Sequence, residues 1–306
     1  MDSVGGRMPG FESSFVDVGE TTIHVERGGS GPAVLLLHGF PETLAMWRKV
    51  ASLLAGRFSV VCADLRGYGA SGCPPSAGDH GPYSKRSLAR DMVGVMTRLG
   101  FERFSIAGHD RGGRVAYRAA LDAPERVERL AALDVVPIEM AWDRADDRLA
   151  LGFWPWSLLA QPQPLPERLL GAAPEAVIDD ALSMEWGTPA DTFDADTRAD
   201  YLAQLRDPDH VHAICEEYRA AAGIDREHDR ADRAAEHRIA CPVLVLWSGT
   251  GPLASWYVDD GGPLELWREL APNVTGQPVE GGHFFPEEHP QTTAEALAAF
   301  FSPADD

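Results

Sequence analysis

Positive charge, cysteine and long apolar runs are all scarce in this sequence, and each shortage removes a class of function. Lys and Arg number 27 against 47 Asp and Glu, a formal net charge of −20. That balance argues against nucleic acid and anionic membranes as partners. The four cysteines, Cys62, Cys73, Cys215 and Cys241, form no C-x-x-C pair and read as isolated thiols of a reducing compartment, with no disulfide framework. No apolar run approaches a membrane span, and Met1 to Phe15 lacks a basic segment followed by an apolar core, so the expected location is the cytoplasm. Also missing is any G-x-S-x-G string, the elbow that presents a serine nucleophile. What remains is a packed globular chain of 306 residues, 44% hydrophobic, long enough for one large α/β domain with an insertion.

The organising stretch is Phe104 to Arg118. Phe104, Ile106 and Ala107 read as a short buried strand, and Val115, Ala116, Ala119 and Ala120 recur at helical spacing. Between them lie Gly108, His109, Asp110, Arg111 and Gly112. Small residues on both sides let a strained turn hold the middle side chain over the edge of a sheet, and that side chain is Asp110. A bare N-cap role is the competing reading. A carboxylate nucleophile suits an sp³ carbon bearing a leaving group, because its attack leaves an ester that water can cleave, whereas attack by serine would leave an ether.

Other strands supply partners for Asp110. Thr22 to Glu26, followed by Gly28 to Gly31, reads as a strand and hairpin turn in an opening antiparallel ribbon. Ala33 to Leu37 is a continuous apolar run ending in His38, Gly39, Phe40, Pro41 and Glu42, and Phe40 is the expected oxyanion-hole donor from that H-G-x-P loop. Phe58 to Ala63 leads into the glycine-rich string Asp64 to Ser71, read as structural. Tyr83 to Leu99 reads as an amphipathic helix. Leu130 to Leu133 stops at Asp134, a carboxylate on the same sheet edge as Asp110 and the candidate to orient a histidine. The strand at Pro242 to Trp247 is followed by no carboxylate before Asp259, which favours Asp134. Near the end, Gln277 to Val279 leads into Gly281, Gly282, His283 and Phe284, and His283 is the expected general base. Strand signals vanish between Pro137 and Glu236, a helical stretch rich in tryptophan that reads as a cap domain (137–236) over a core of 1–136 and 237–306. His210, His212, His228 and His237 match no ligand spacing, and His38 and His109 read as packed, so no metal or cofactor is expected.

With these residues placed, the chain resembles the fluoroacetate or haloacetate dehalogenases of the α/β-hydrolase superfamily over nearly its whole length. The specific element is G-H-D-R-G-x-R, with Arg111 where related epoxide hydrolases and haloalkane dehalogenases usually carry tryptophan. The resemblance implies an α/β-hydrolase fold, a mostly parallel doubly wound sheet with a helical cap, and a homodimer. It implies a triad of Asp110, His283 and Asp134, an oxyanion hole from the N–H groups of Phe40 and Arg111, and a small anionic organic acid held by Arg111 and Arg114. For Arg114 an exposed helix position with an i,i+4 partner is the alternative. Trp156 and Tyr218 match two of the family's three halide contacts, and Pro155 stands where the third, a histidine, is found. Proline lacks the imidazole, so chloroacetate and bromoacetate are expected to be better substrates than fluoroacetate. An epoxide hydrolase using the same triad is the alternative, opposed by Arg111; a non-catalytic binding protein on this scaffold is a more remote one.

Overall fold

The computed structural model describes residues 8–182 and 186–302; the outermost parts of the expected core range, 1–7 and 303–306, and positions 183–185 of the expected cap lie outside the described residues. The strands are β1 (Glu12–Asp17), β2 (Thr22–Gly29), β3 (Ala33–Leu37), β4 (Ser59–Ala63), β5 (Phe104–His109), β6 (Val127–Leu133), β7 (Val243–Ser248) and β8 (Val274–Val279). They form one sheet in the order β1-β2-β4-β3-β5-β6-β7-β8. β1 with β2 and β2 with β4 are antiparallel, and every later neighbour is parallel. All residues of β3 and β5 are buried, as strands covered on both faces must be. The edge strand β8 instead alternates between half-buried and exposed over most of its length.

One turn differs from expectation. The opening ribbon turns at Val18–Thr21, while Gly28 and Gly29 stay in β2 and pair with Val60 and Ser59 of β4. A side chain at Gly29 would meet the Phe58 and Ala55 carbonyl oxygens at 2.3 and 2.5 Å, so Gly29 lets the end of β2 lie tight against the α1–β4 connection rather than forming a hairpin.

The core helices before β6 are α1 (Arg48–Leu54), α2 (Lys85–Arg98) and α3 (Asp110–Asp122). Ser84 caps α2 by accepting the Ser87 N–H. Between β6 and β7, among the described residues, run eight α-helices and no strand: α4 (Ile138–Asp143), α5 (Asp147–Gly152), α6 (Trp154–Leu159), α7 (Leu165–Ala172), α8 (Pro174–Ala181), α9 (Ala195–Leu205), α10 (Pro208–Ala222) and α11 (Ile224–Ala234). After β7 come α12 (Pro252–Trp256), α13 (Pro263–Leu270), α14 (Phe285–Glu288) and α15 (Pro290–Phe301). No helix among the described residues is long and apolar enough to cross a membrane. The parallel strands all point their carboxyl ends to one edge, where β3, β5, β6 and the loop after β8 deliver Phe40, Asp110, Asp134 and His283.

Candidate active site

Asp110 sits where β5 becomes α3, in the left-handed backbone region at φ 44°. A residue with a side chain is held there only when its surroundings over-determine it. Glycines make the turn possible: a Cβ on Gly108 would lie 2.2 Å from the Gly112 carbonyl oxygen, and one on Gly39 would lie 2.5 Å from the Asp110 Cβ. The carboxylate is held on both oxygens. The Phe40 N–H donates to Oδ1 at 3.1 Å, and Arg114 Nη1 donates to Oδ2 at 3.0 Å. Burial alone would raise the pKa of Asp110, but the charges of Arg114, His283 and Arg111 outweigh it and hold the carboxyl well below the usual range. Asp110 is therefore held as a carboxylate near neutral pH.

The histidine and its acid approach from the other side. His283 Nδ1 lies 2.6 Å from Asp134 Oδ2, and Asp134 Oδ1 accepts the Ser248 N–H at 2.8 Å. Asp134 also adopts a positive φ, 48°. With Nδ1 donating to a carboxylate, Nε2 is left to accept a proton. Ser248 closes β7, where the sequence offers no acid, and its backbone instead braces Asp134.

A second acid–histidine pair lies behind this one. His109 Nδ1 is 2.9 Å from Glu42 Oε2, and its Nε2 is 2.8 Å from the His283 carbonyl oxygen, which can only accept. Both ring nitrogens therefore carry protons. Burial lowers the His109 pKa, but the Glu42 charge and hydrogen bond raise it to about 9. The sequence marks His109 only as packed. Its role in tying the His283 loop to the H-G-F-P-E loop depends on Glu42, 67 positions away, a separation that no spacing rule reaches.

Phe153, Pro155, Trp156, Trp186, Tyr218 and Leu253 close the cavity above Asp110, Arg114 and His283. The enclosed space is only about 20 Å³, on a scale where one water needs roughly 10–15 Å³. A site this tight favours ligands of a few atoms. The larger 630 Å³ groove beside α2 and α3 also holds an acid–histidine pair, His237 with Asp232 at 3.0 Å, but not at a strained strand-to-helix turn. The segment Trp186–Thr188 meets the base loop directly: the His283 N–H donates to the Trp186 carbonyl at 2.8 Å, and the Phe284 N–H to Thr188 Oγ1 at 3.1 Å.

The α/β hydrolase fold family model matches residues 32–177. A fluoroacetate dehalogenase of a Burkholderia species is 44% identical over 296 residues, 96% of this chain and 95% of the relative. The chain belongs to the fluoroacetate dehalogenase family. A soluble epoxide hydrolase of Corynebacterium sp. (strain C12) is 30% identical, covering 92% of this chain and 94% of its own. The crystal structure of ALR0039 from Nostoc sp PCC 7120, assigned to the α/β hydrolases, superposes with a TM-score of 0.92 at 44% identity, over 97% of this chain and all of that one.

Among the positions that the family resemblance singles out, the two arginines part company. Arg114 is buried against Asp110, not exposed on the helix, and its guanidinium carbon stacks 4.6 Å from the Trp156 ring centre. Arg111 is set back from the cavity wall. Its Nε and Nη2 both donate to Glu217 of α10, at 2.8 to 3.0 Å, and its guanidinium carbon lies 4.0 Å from the Tyr218 ring centre. Only Nη1 of its guanidinium has no partner among the described residues. Of the expected oxyanion donors, the Phe40 N–H points at Asp110, and the Arg111 N–H lies in the first turn of α3, where backbone donors have no intrahelical acceptor. Trp156 and Tyr218 line the cavity, whereas Tyr201 is fully buried away from it. Burial raises the Tyr218 pKa, so its hydroxyl stays a donor. Phe153, Trp186 and Leu253 were missed by sequence reasoning, because an aromatic or aliphatic side chain in a helical stretch reads equally well as core.

Proposed function

We propose that this protein hydrolyses the carbon–halogen bond of small 2-haloacids, converting a haloacetate and water to glycolate and halide, beneath a helical cap domain formed by 137–236. The observation that carries the reading is the buried Asp110 carboxylate, ionised and hydrogen-bonded on both oxygens, facing the His283–Asp134 pair in a cavity of a few atoms' size.

In this scheme an Asp110 oxygen attacks the α-carbon in line. The new C–O bond forms as the C–halogen pair leaves with the halide, received by the Trp156 indole N–H and the Tyr218 hydroxyl. Arg114 and the open edge of Arg111 hold the acid. His283 then takes a proton from water, the hydroxide adds to the Asp110 carbonyl carbon, and the N–H groups of Phe40 and Arg111 stabilise the oxyanion. Collapse expels the glycolate oxygen, which recovers the proton from His283, and Asp110, left as the acid, gives its own proton up to solvent. Pro155 lies in the cavity wall and has no donor to offer the halide. Fluoride is the poorest leaving group and depends most on such donors, so one missing donor slows defluorination by roughly 10² to 10³. Chloroacetate and bromoacetate are then the better substrates.

Epoxide hydrolysis is the second reading, supported by the likeness to the Corynebacterium soluble epoxide hydrolase. It needs cap tyrosines to protonate the epoxide oxygen, and Tyr218 lines the cavity while Tyr201 does not. The deciding experiment is halide release from chloroacetate and fluoroacetate assayed together, with Asp110→Ala as control. Chloride release that disappears in the control, and exceeds fluoride release, is the expected result. No halide from either acid, or faster fluoride than chloride, would overturn the corresponding part of the reading.

A further inference from the structure

Behind Arg111 runs a row of buried charges that the chemistry above does not use. Glu217, fully buried on α10, grips Arg111 through Nε and Nη2. The Lys85 ammonium, 1% exposed and one of only two lysines in the chain, contacts the same Glu217 Oε1 that accepts from Arg111 Nη2. On its far side Lys85 faces Asp225 Oδ2 at 3.7 Å, and Asp225 Oδ1 accepts the Lys85 backbone N–H at 2.8 Å, at the first turn of α2. The order from α11 towards the cavity is thus Asp225, Lys85, Glu217, Arg111, with alternating sign and with Arg111 packed on the ring of Tyr218, which lines the cavity.

An isolated Arg–Glu pair in this position would be closed. Its charges would cancel, and Glu217 would hold Arg111 with its full charge, leaving little field for an incoming anion. With Lys85 present, Glu217 divides its charge between two cations, and the balancing negative charge moves one step further from the cavity, to Asp225. Burial and the Arg111 charge press the Lys85 pKa well below its ordinary value, and the carboxylates on either side, Glu217 in contact and Asp225 at 3.7 Å, oppose that shift. The arrangement also fixes which edge of Arg111 is taken, because a Glu217 held by Lys85 occupies Nε and Nη2 and leaves Nη1 buried without a partner among the described residues. A buried donor with no acceptor is costly unless something arrives to accept from it.

We propose that Lys85 is a positioning residue: acting through Glu217, it keeps the Nη1 edge of Arg111 free and cationic for the carboxylate of the substrate. The proposal rests on Arg111 being a carboxylate ligand, and it concerns binding, so its effects fall on affinity and not on the chemical step.

Lys85→Met alone strands Asp225 as a buried charge and risks the fold. Lys85→Met combined with Asp225→Asn keeps the local charge balanced and is the variant to measure. In an Asp110→Asn background, which binds without reacting, calorimetry with chloroacetate should show roughly tenfold weaker binding in the balanced variant, while binding of the neutral analogue chloroacetamide changes by less than about twofold. With Asp110 intact, KM for chloroacetate should rise about tenfold with kcat within about twofold. In an Arg111→Gln background the same pair of changes should have no further effect, because Lys85 acts only through Arg111. Unchanged chloroacetate affinity, or an equal loss for chloroacetamide, overturns the proposal. If the unaltered protein releases no halide yet loses carboxylate affinity in the balanced variant, the dehalogenation reading falls and the role of Lys85 stands. Release of halide with unchanged affinity has the opposite meaning.

Discussion

The two walls of the cavity are built on opposite principles. On the sheet side, the two carboxylates and the histidine are tied down before any ligand arrives: Asp110 with Phe40 and Arg114, His283 with Asp134, Asp134 with Ser248. On the helical side the lining is Phe153, Pro155, Trp156, Trp186 and Tyr218, apolar surface with an indole N–H and a phenol hydroxyl as its polar points. The difference separates two tasks. Fixed dipoles on rigid strand ends set up bond making and breaking without reorganisation, whereas the apolar wall decides which small molecule fits and which leaving group is helped.

Changes on the sheet side should therefore stop the reaction, and changes on the helical side should redirect it. The largest effect is expected for His283→Gln. Turnover should fall by roughly 10² to 10⁴, while Asp110 still reacts, so mass spectrometry should find the protein heavier by one carboxymethyl group after treatment with chloroacetate. That adduct should form as fast at pH 5 as at pH 8, because Arg114, the largest of the charges that lower the Asp110 pKa, and Arg111 both remain. Unmodified protein after treatment would contradict the covalent scheme. A smaller, selective effect is expected for Pro155→His, which returns a donor to the helical wall. The ratio of fluoride to chloride release should rise by roughly tenfold or more, and an unchanged ratio would show that the wall does not discriminate leaving groups.

The smallest effect concerns the pair behind the sheet-side wall. The His109 pKa is raised from 6.5 to about 9 by Glu42, so the stability it contributes is fully present below about pH 6.5 and is lost as pH climbs through about 9. The melting temperature should fall by a few degrees across that window. His109→Gln should flatten this limb, and an equal slope in both proteins would argue against a charged His109.

The strand ends could be read from sequence because each is a local pattern: an apolar run, a glycine turn and then one reactive side chain. Ala33–Leu37 falls on β3 without change, and Asp110, Asp134 and His283 meet at one edge. The family resemblance carried Arg111 and Arg114 further than spacing could. What it did not supply is how Arg111 is held, since Lys85, Glu217 and Asp225 come from α2, α10 and α11 and meet only in three dimensions. The Gly28–Gly31 turn was misread because the same glycines serve a hairpin or a close approach to another segment, here the α1–β4 connection.

The bonds from Trp186 and Thr188 to His283 and Phe284 have a consequence for how such proteins can be recombined. The loop carrying the base is mounted as much on the inserted helices as on the sheet. A chimaera that exchanges those helices with a relative's therefore exchanges part of the base's mounting as well. Grafts that keep Trp186–Thr188 together with the host's own His283 loop should retain function, and grafts cut between them should lose it however well each half is folded.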